Sequence, residues 1–150
     1  EKMQTETLKL LGKYTVDKND AKVTNADVIV SAHCNRVNVS DGHTECVSVK
    51  LSKPAVVSDL VRAFESFNPL KPLNLPSSPE HPIVVRAELD RPQPKLDRNM
   101  ENGMASVVGR IRPCSVLDCK FVVLGHNTIR GAAGAAILNA ELMKSKGYLE

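Results

Sequence analysis

Seven of the nine prolines fall between residues 69 and 94. Proline lacks an amide donor and has a fixed φ, so it is kept out of helix interiors and central strands. That stretch therefore reads as a long irregular loop, interrupted by one short strand at Ile83, Val84 and Val85. A loop of this length is more than a connector and is expected to cover a surface or meet a partner.

Regular elements are predicted on both sides of it. Residues 1–11 read as the end of a helix stopped by Gly12. No N-cap precedes it, so the chain is expected to be a fragment whose N-terminal part is missing. Residues 13–22 are polar and loop-like, and residues 28–39, rich in β-formers, read as one long strand. Asp41-Gly42 signals a sharp bend or hairpin, because glycine tolerates positive φ. Residues 43–51 follow as a second strand, with Val47, Val49 and Leu51 on one face and Thr44, Ser48 and Lys50 on the other. Pro54 fits the first turn of a helix whose stripe is Val57, Leu60, Val61 and Phe64. Residues 104–112 and 118–124 read as two further strands, made antiparallel by the short link around Pro113, Cys114 and Ser115. A last helix spans residues 130–146, with Lys144 and Lys146 in its final turn and Gly147 as its stop. This order predicts an α+β domain: a mostly antiparallel mixed sheet with helices packed on one face.

Composition narrows the function classes. Aromatic residues make up only 3% of the chain and tryptophan is absent, so the core must come from Val, Leu, Ile and Ala. The net charge of +3 is mild and its cations are scattered, which argues against a nucleic-acid surface. No apolar run approaches the ~20 residues that cross a bilayer. No signal-peptide pattern is read, and Cys34, Cys46, Cys114 and Cys119 show no CxxC spacing. Buried free thiols and a cytoplasmic setting are the expectation.

The chemistry concentrates in residues 33–45, His33-Cys34-Asn35-Arg36-Val37-Asn38-Val39-Ser40-Asp41-Gly42-His43-Thr44-Glu45. Arg36 is a permanent cation whose planar fork fits a carboxylate. His43 can hold or release a proton near neutral pH. Residue types alone leave two readings open: an exposed strand arginine with a turn histidine, or a pair brought to one end of the sheet by the bend. Cys34, His43, Cys46 and His33 are a zinc set by type, but strand alternation turns them to opposite faces, so no metal is expected. A second constellation, Asn127-Thr128-Ile129-Arg130-Gly131-Ala132-Ala133-Gly134, opens the last helix. Its small residues imply close approach of backbone to a flat neighbour, and packing and ligand contact stand about level. Lys2, on the first helix, says nothing alone.

Together these segments resemble the C-terminal half of aspartate-semialdehyde dehydrogenases of the fungal and archaeal kind. The resemblance runs through Glu1-Lys2-Met3 with Glu6-Thr7, residues 34–45, Val108-Gly109-Arg110-Ile111-Arg112, residues 127–134 and Asn139-Ala140-Glu141. It implies a C-terminal domain like that of glyceraldehyde-3-phosphate dehydrogenase, occupying residues 1–150 as a catalytic and dimerisation domain, with the N-terminal NADP-binding domain absent. In that family β-aspartyl phosphate is reduced by NADPH to aspartate semialdehyde with release of phosphate, on the route to threonine, methionine, isoleucine and in some organisms lysine. A cysteine forms a thioacyl enzyme, and hydride transfer gives a thiohemiacetal that collapses to the aldehyde. By position, the resemblance makes Arg36 the ligand of the substrate carboxylate, His43 the acid/base and Lys2 a phosphate ligand. It makes Asn127 and Gly131 the segment approaching the nicotinamide. The nucleophilic cysteine, and a glutamate pairing with the substrate amine, would lie before Glu1. The sheet would form a homodimer or homotetramer interface. A related acyl-CoA reductase such as malonyl-CoA reductase, or a dimerisation module without chemistry, are the alternatives.

Overall fold

The structure is a computed structural model that describes residues 2–17 and 20–149, in two units, Glu1–Asn38 and Val39–Glu150. The first unit begins with helix α1 (Lys2–Leu10), which buries none of its residues. Gly12 follows, and its role is space: a methyl there would overlap the carbonyl oxygen of Thr24. Strands β1 (Lys13–Asp17) and β2 (Asp20–Thr24) form an antiparallel pair where a loop was predicted. The overlooked signal is a period of two, with Tyr14 opposite Val23 and Val16 opposite Ala21. Lys18 and Asn19, inside that predicted loop, and Glu1, in the predicted helix, lie outside the described residues. Ala26 N–H donates to Leu8 O at 2.9 Å, and Gln4 Nε2 to Val30 O at 3.2 Å, tying the following segment to α1.

The long strand predicted over residues 28–39 does not form: that segment has no regular structure. Its β-formers have no ladder to join, and Ile29 is 99% exposed. β propensity measures fit to a half-buried pleated surface, so without a paired neighbour it commands nothing.

The second unit holds a four-stranded mixed sheet in the order β3-β6-β5-β4: β3 (His43–Val49), β4 (Ile83–Arg86), β5 (Ser106–Pro113) and β6 (Cys119–Gly125). β6 runs antiparallel to both neighbours, while β4 lies parallel to β5. The α+β architecture with a mostly antiparallel sheet is as the sequence predicts. Helix α2 (Val57–Ser66) starts three residues after Pro54, at a turn where Val56 N–H donates to Asp59 Oδ2 at 3.0 Å. Its apolar stripe buries Leu60 and sets Phe64 edge-on to Phe121 of β6, centroids 5.4 Å apart. Since opposed and alternate residues share a face, α2 covers the face that carries Phe121, Val123 and Gly125, with Val47, Glu45 and His43 beside them.

The proline-rich stretch is irregular but packed, as expected of a segment that covers a surface. Leu75 from this stretch, Met104 and Leu138 form a core ringed by Leu70, Leu73, Ile129 and Leu142. Leu138 belongs to the last helix, α4 (Gly134–Ser145), and Glu141 on that helix accepts from Ser77 N at 2.9 Å and Ser77 Oγ at 2.7 Å. The helix begins later than predicted, because Ile129–Ala133 is a wider π turn. Gly147, at φ 77°, stops it as foreseen.

Short helix α3 (Pro94–Asp97) is fixed by Asp97, which has no exposed surface. Its carboxylate accepts from Arg91 Nε at 2.7 Å, from Arg91 Nη2 and from Gln93 N at 2.6 Å. The loop it closes lies against β5 at Gly109, where a methyl would overlap the Arg91 carbonyl oxygen. There the β5–β6 register shifts, and Arg110 takes a positive φ of 54°. The cysteines depart from expectation: all four are free, but Cys34 and Cys46 are exposed and only Cys119 is buried.

Burial pushes the Asp97 carboxyl up, but hydrogen bonds from Arg91 and the Gln93 amide, with the charges of Arg91 and Arg86, outweigh it and hold the pKa below the ordinary value. Its stabilising effect is thus present above the unfolded pKa of about 3.9 and lost as pH falls through the lower folded value. Asp97→Asn is expected to cost about 3 kcal/mol at neutral pH, the loss typical when one partner of a buried pair is removed. Urea titrations at pH 7 and pH 3 check this: the deficit should be present at pH 7 and shrink at pH 3.

Candidate functional site

β3 begins at His43 because the chain bends sharply just before it. Gly42 has φ 110°, a conformation open essentially to glycine, so the Asp41-Gly42 signal is realised as a bend. It is not a hairpin, since residues 25–42 leading into it carry no strand. Register sets His43 opposite Gly125 of β6, and Ser106 of β5 opposite Gly125 on the other side. Gly125 has nothing within 4 Å of where its Cβ would stand. A strand end without a side chain, flanked by two residues on one face, leaves a depression.

That depression is an open pocket of about 310 Å³. His43 and Glu45 line it from β3, two positions apart and so on the same face. His126 and Asn127 line it from the end of β6, and Arg130 and Gly131 from the π turn. The structure thus brings together three of the five residues singled out from sequence: His43, Asn127 and Gly131. Lys2 and Arg36 belong to the first unit, Lys2 on α1 and Arg36 on the irregular segment, and both are exposed. The expectation that Arg36 lies on a strand is corrected, because of the two only His43 is on one.

Around this pocket the polar groups divide into committed and free. Asn127 Oδ1 accepts from Gly42 N at 2.8 Å, so its carbonyl end holds the bend. His126 is buried, with Nδ1 3.2 Å from Thr128 Oγ1. The side chains of His43 and Arg130 make no hydrogen bond or ion pair among the described residues, while the His43 backbone pairs with Gly125 in the ladder. The small residues at the helix start separate into two uses. Gly134 is there for packing, since a methyl would overlap Met104 Sδ. Gly131 is different: the nearest atom to its Cβ position is His126 O at 3.6 Å, so packing does not require a glycine there. An imidazole, a guanidinium, the Glu45 carboxylate and an open backbone edge around one depression suit a strongly polar ligand.

Sequence reasoning passed over His126, Glu45 and Arg130. Arg130 stood in the quoted helix-start segment without a role, and Glu45 was visible as the i+2 neighbour of His43. His126 could be found only from the β3–β6 register.

A mixed sheet carrying helices, with this pocket at the end of its strands, defines a small α+β domain. Residues 1–130 match the family described as "Semialdehyde dehydrogenase, dimerisation domain", and the chain belongs to that family. It is 56% identical over 143 residues to aspartate-semialdehyde dehydrogenase of Archaeoglobus fulgidus, covering 95% of this chain and 40% of that protein. It is 48% identical over 153 residues to the same enzyme of Schizosaccharomyces pombe, covering 99% of this chain and 42% of that protein. Among solved structures it resembles the crystal structure of aspartate semialdehyde dehydrogenase with NADP from Candida albicans, with 43% identity and a TM-score of 0.87. That match covers 99% of this chain and 42% of the other. The chain therefore spans about 40% of the length of the curated relatives it matches. The family resemblance and fold expected from sequence are borne out.

The bend before His43 is sterically confined as well. A Cβ on Gly42 would stand 3.0 Å from Leu124 Cδ1 and 3.3 Å from Pro94 Cβ. Gly42→Ala is therefore expected to lower stability by roughly 1–3 kcal/mol, from the unfavourable φ and overpacking together. Chemical denaturation against the unmodified chain measures it.

Proposed function

We propose that residues 1–150 are the C-terminal catalytic and dimerisation domain of an NADP-dependent aspartate-semialdehyde dehydrogenase. The NADP-binding domain and the nucleophilic cysteine would come from a preceding domain. The observation that carries this is 56% identity to a protein so named across 95% of the chain. The pocket that joins His43 to Asn127 and Gly131 supports it.

In this reading the substrate is β-aspartyl phosphate, converted to aspartate semialdehyde and phosphate in the supply of threonine, methionine and isoleucine, and in some organisms lysine. NADPH, when bound, supplies the hydride. Two features suit it: Gly131 leaves backbone open at the pocket, and Asn127 Nδ2 has no partner among the described residues. Arg36 binds the substrate carboxylate through its planar fork, and Lys2 attracts the phosphoryl group. His43 moves the proton between the attacking thiol, the developing hydroxyl and solvent. An imidazole fits that work because it exchanges a proton near neutral pH. As the acyl phosphate is dianionic and the substrate also carries a carboxylate, fixed cations contribute to its stabilisation.

The reading includes self-association as a homodimer or homotetramer and a cytoplasmic setting. Exposed apolar side chains support the first: Leu10 is 82% and Ile29 99% accessible. Four free cysteines support the second.

The experiment is an assay of the full-length enzyme with aspartate semialdehyde, phosphate and NADP, beside malonyl-CoA with NADPH. Activity on the semialdehyde alone is expected; activity on the thioester alone would transfer the reading to an acyl-CoA reductase, and activity on neither would leave a dimerisation module. His43→Ala should collapse kcat with KM little changed, and normal turnover would remove its acid/base role. Arg36→Ala should weaken carboxylate binding by about 2–5 kcal/mol, seen chiefly in KM. Residues 1–150 alone should sediment as a dimer or larger and reduce no NADP.

A further inference from the structure

His43 is the first residue of its strand, so the ladder fixes it from one direction only. The other direction is set by residues 40–42, which have no regular structure. Two side chains from distant parts of the unit hold that bend. Asn127 accepts the Gly42 N–H at 2.8 Å, and because the donor is a backbone amide the accepting atom must be Oδ1. On the other side Arg98 Nη1 donates to Ser40 Oγ at 2.8 Å and to Asp41 O at 3.4 Å. Arg98 is itself anchored, since it directly follows α3, whose last residue is the buried Asp97 locked to Arg91 and Gln93. Between them Gly42 packs on Leu124 and Pro94, which leaves the bend little room to shift.

We infer that Arg98 and Asn127 are positioning residues for His43, acting through the Ser40–Gly42 bend as a clamp. This rests on the reading of His43 as the proton carrier. It gives Asn127 a second duty beside its proposed approach to the nicotinamide, and gives Arg98, unremarked in the sequence, its only duty at the site. The clamp works by distance: a proton carrier displaced by about 1 Å can cost on the order of 100-fold in rate while the binding groups stay in place.

The test uses the full-length enzyme. Arg98→Ala should lower kcat by roughly 10- to 100-fold with KM for semialdehyde and NADP within about twofold. Arg98→Lys, which keeps one donor, should recover part of the loss. In a His43→Ala background, Arg98→Ala should cost nothing further, because there is no imidazole left to position. Hydrogen exchange provides a second readout that does not depend on activity. Asn127→Ala should speed exchange of the Gly42 amide by roughly tenfold or more, and Asn127→Asp, which still accepts, should keep it slow. An unchanged kcat in Arg98→Ala, an equal loss with and without His43, or Gly42 exchange indifferent to Asn127 would overturn the clamp. Should Arg98→Ala fail to fold, Arg98→Lys and the exchange pair decide in its place. Wild-type enzyme inactive on the semialdehyde would sink the proposed function, while Gly42 exchange would still decide whether the clamp exists.

Discussion

Asp97 is a carboxylate with no exposed surface, and the second unit is organised around keeping it satisfied. A buried charge of this kind is destabilising unless its lone pairs are filled. Arg91 fills them from the side chain and Gln93 from the backbone, so three residues within one short loop close on themselves. Arg86 of β4 adds a second cation, its Nε 3.9 Å from Oδ1. The closed loop then has a fixed shape, and that shape is pressed against β5 at the one position, Gly109, where no side chain stands in the way. The same closure sets Pro94 under Gly42 and points Arg98 at the bend. A local electrostatic arrangement thus reaches the start of β3 by ordinary packing.

Legibility of the fold followed burial. β3 alternates apolar residues at Val47 and Val49, β5 and β6 carry the apolar runs Val107-Val108 and Phe121-Val122-Val123-Leu124 that meet partners across the sheet, and α2 carries a stripe that meets β6. In those places pattern and packing agree, and the sequence reading held. Residues 28–39 have the composition of a strand but no neighbour to pair with, and pairing is a property of the whole molecule. Residues 13–24 failed in the opposite sense. Their alternation is short and masked by lysine, aspartate and threonine, and Tyr14 and Val16 stay 66% and 68% exposed even in the folded pair. Hydrophobic patterning is a weak guide to a hairpin that buries almost nothing.

The site was legible by residue type before it was legible by geometry. His43 stands out as an imidazole directly after the Asp41-Gly42 bend signal, and the structure places it at the pocket. What sequence could not supply was the register, and with it the fact that His43 sits across from Gly125 and within the same depression as His126 and Arg130. The resemblance of the helix-start segment marked Asn127 and Gly131 as a pair, yet the two do different things. Gly131 leaves room, whereas Asn127 spends its carbonyl oxygen on the backbone of Gly42.

The hold of Asn127 on Gly42 has a structural logic. A side chain at a strand end is held in one direction only if its approach is rigid, and irregular backbone supplies rigidity only when its polar groups are tied to something stiffer. The stiffest neighbours of the bend are the end of β6, which carries Asn127, and the Asp97-locked turn, which carries Arg98. Both lie far from residues 40–42 in sequence, so the bend before His43 is assembled only when the sheet and the loop around Asp97 are in place. Packing of the loop around Asp97 and fixing of the bend before His43 are therefore linked, since Arg98, which follows Asp97, bonds Ser40 and Asp41.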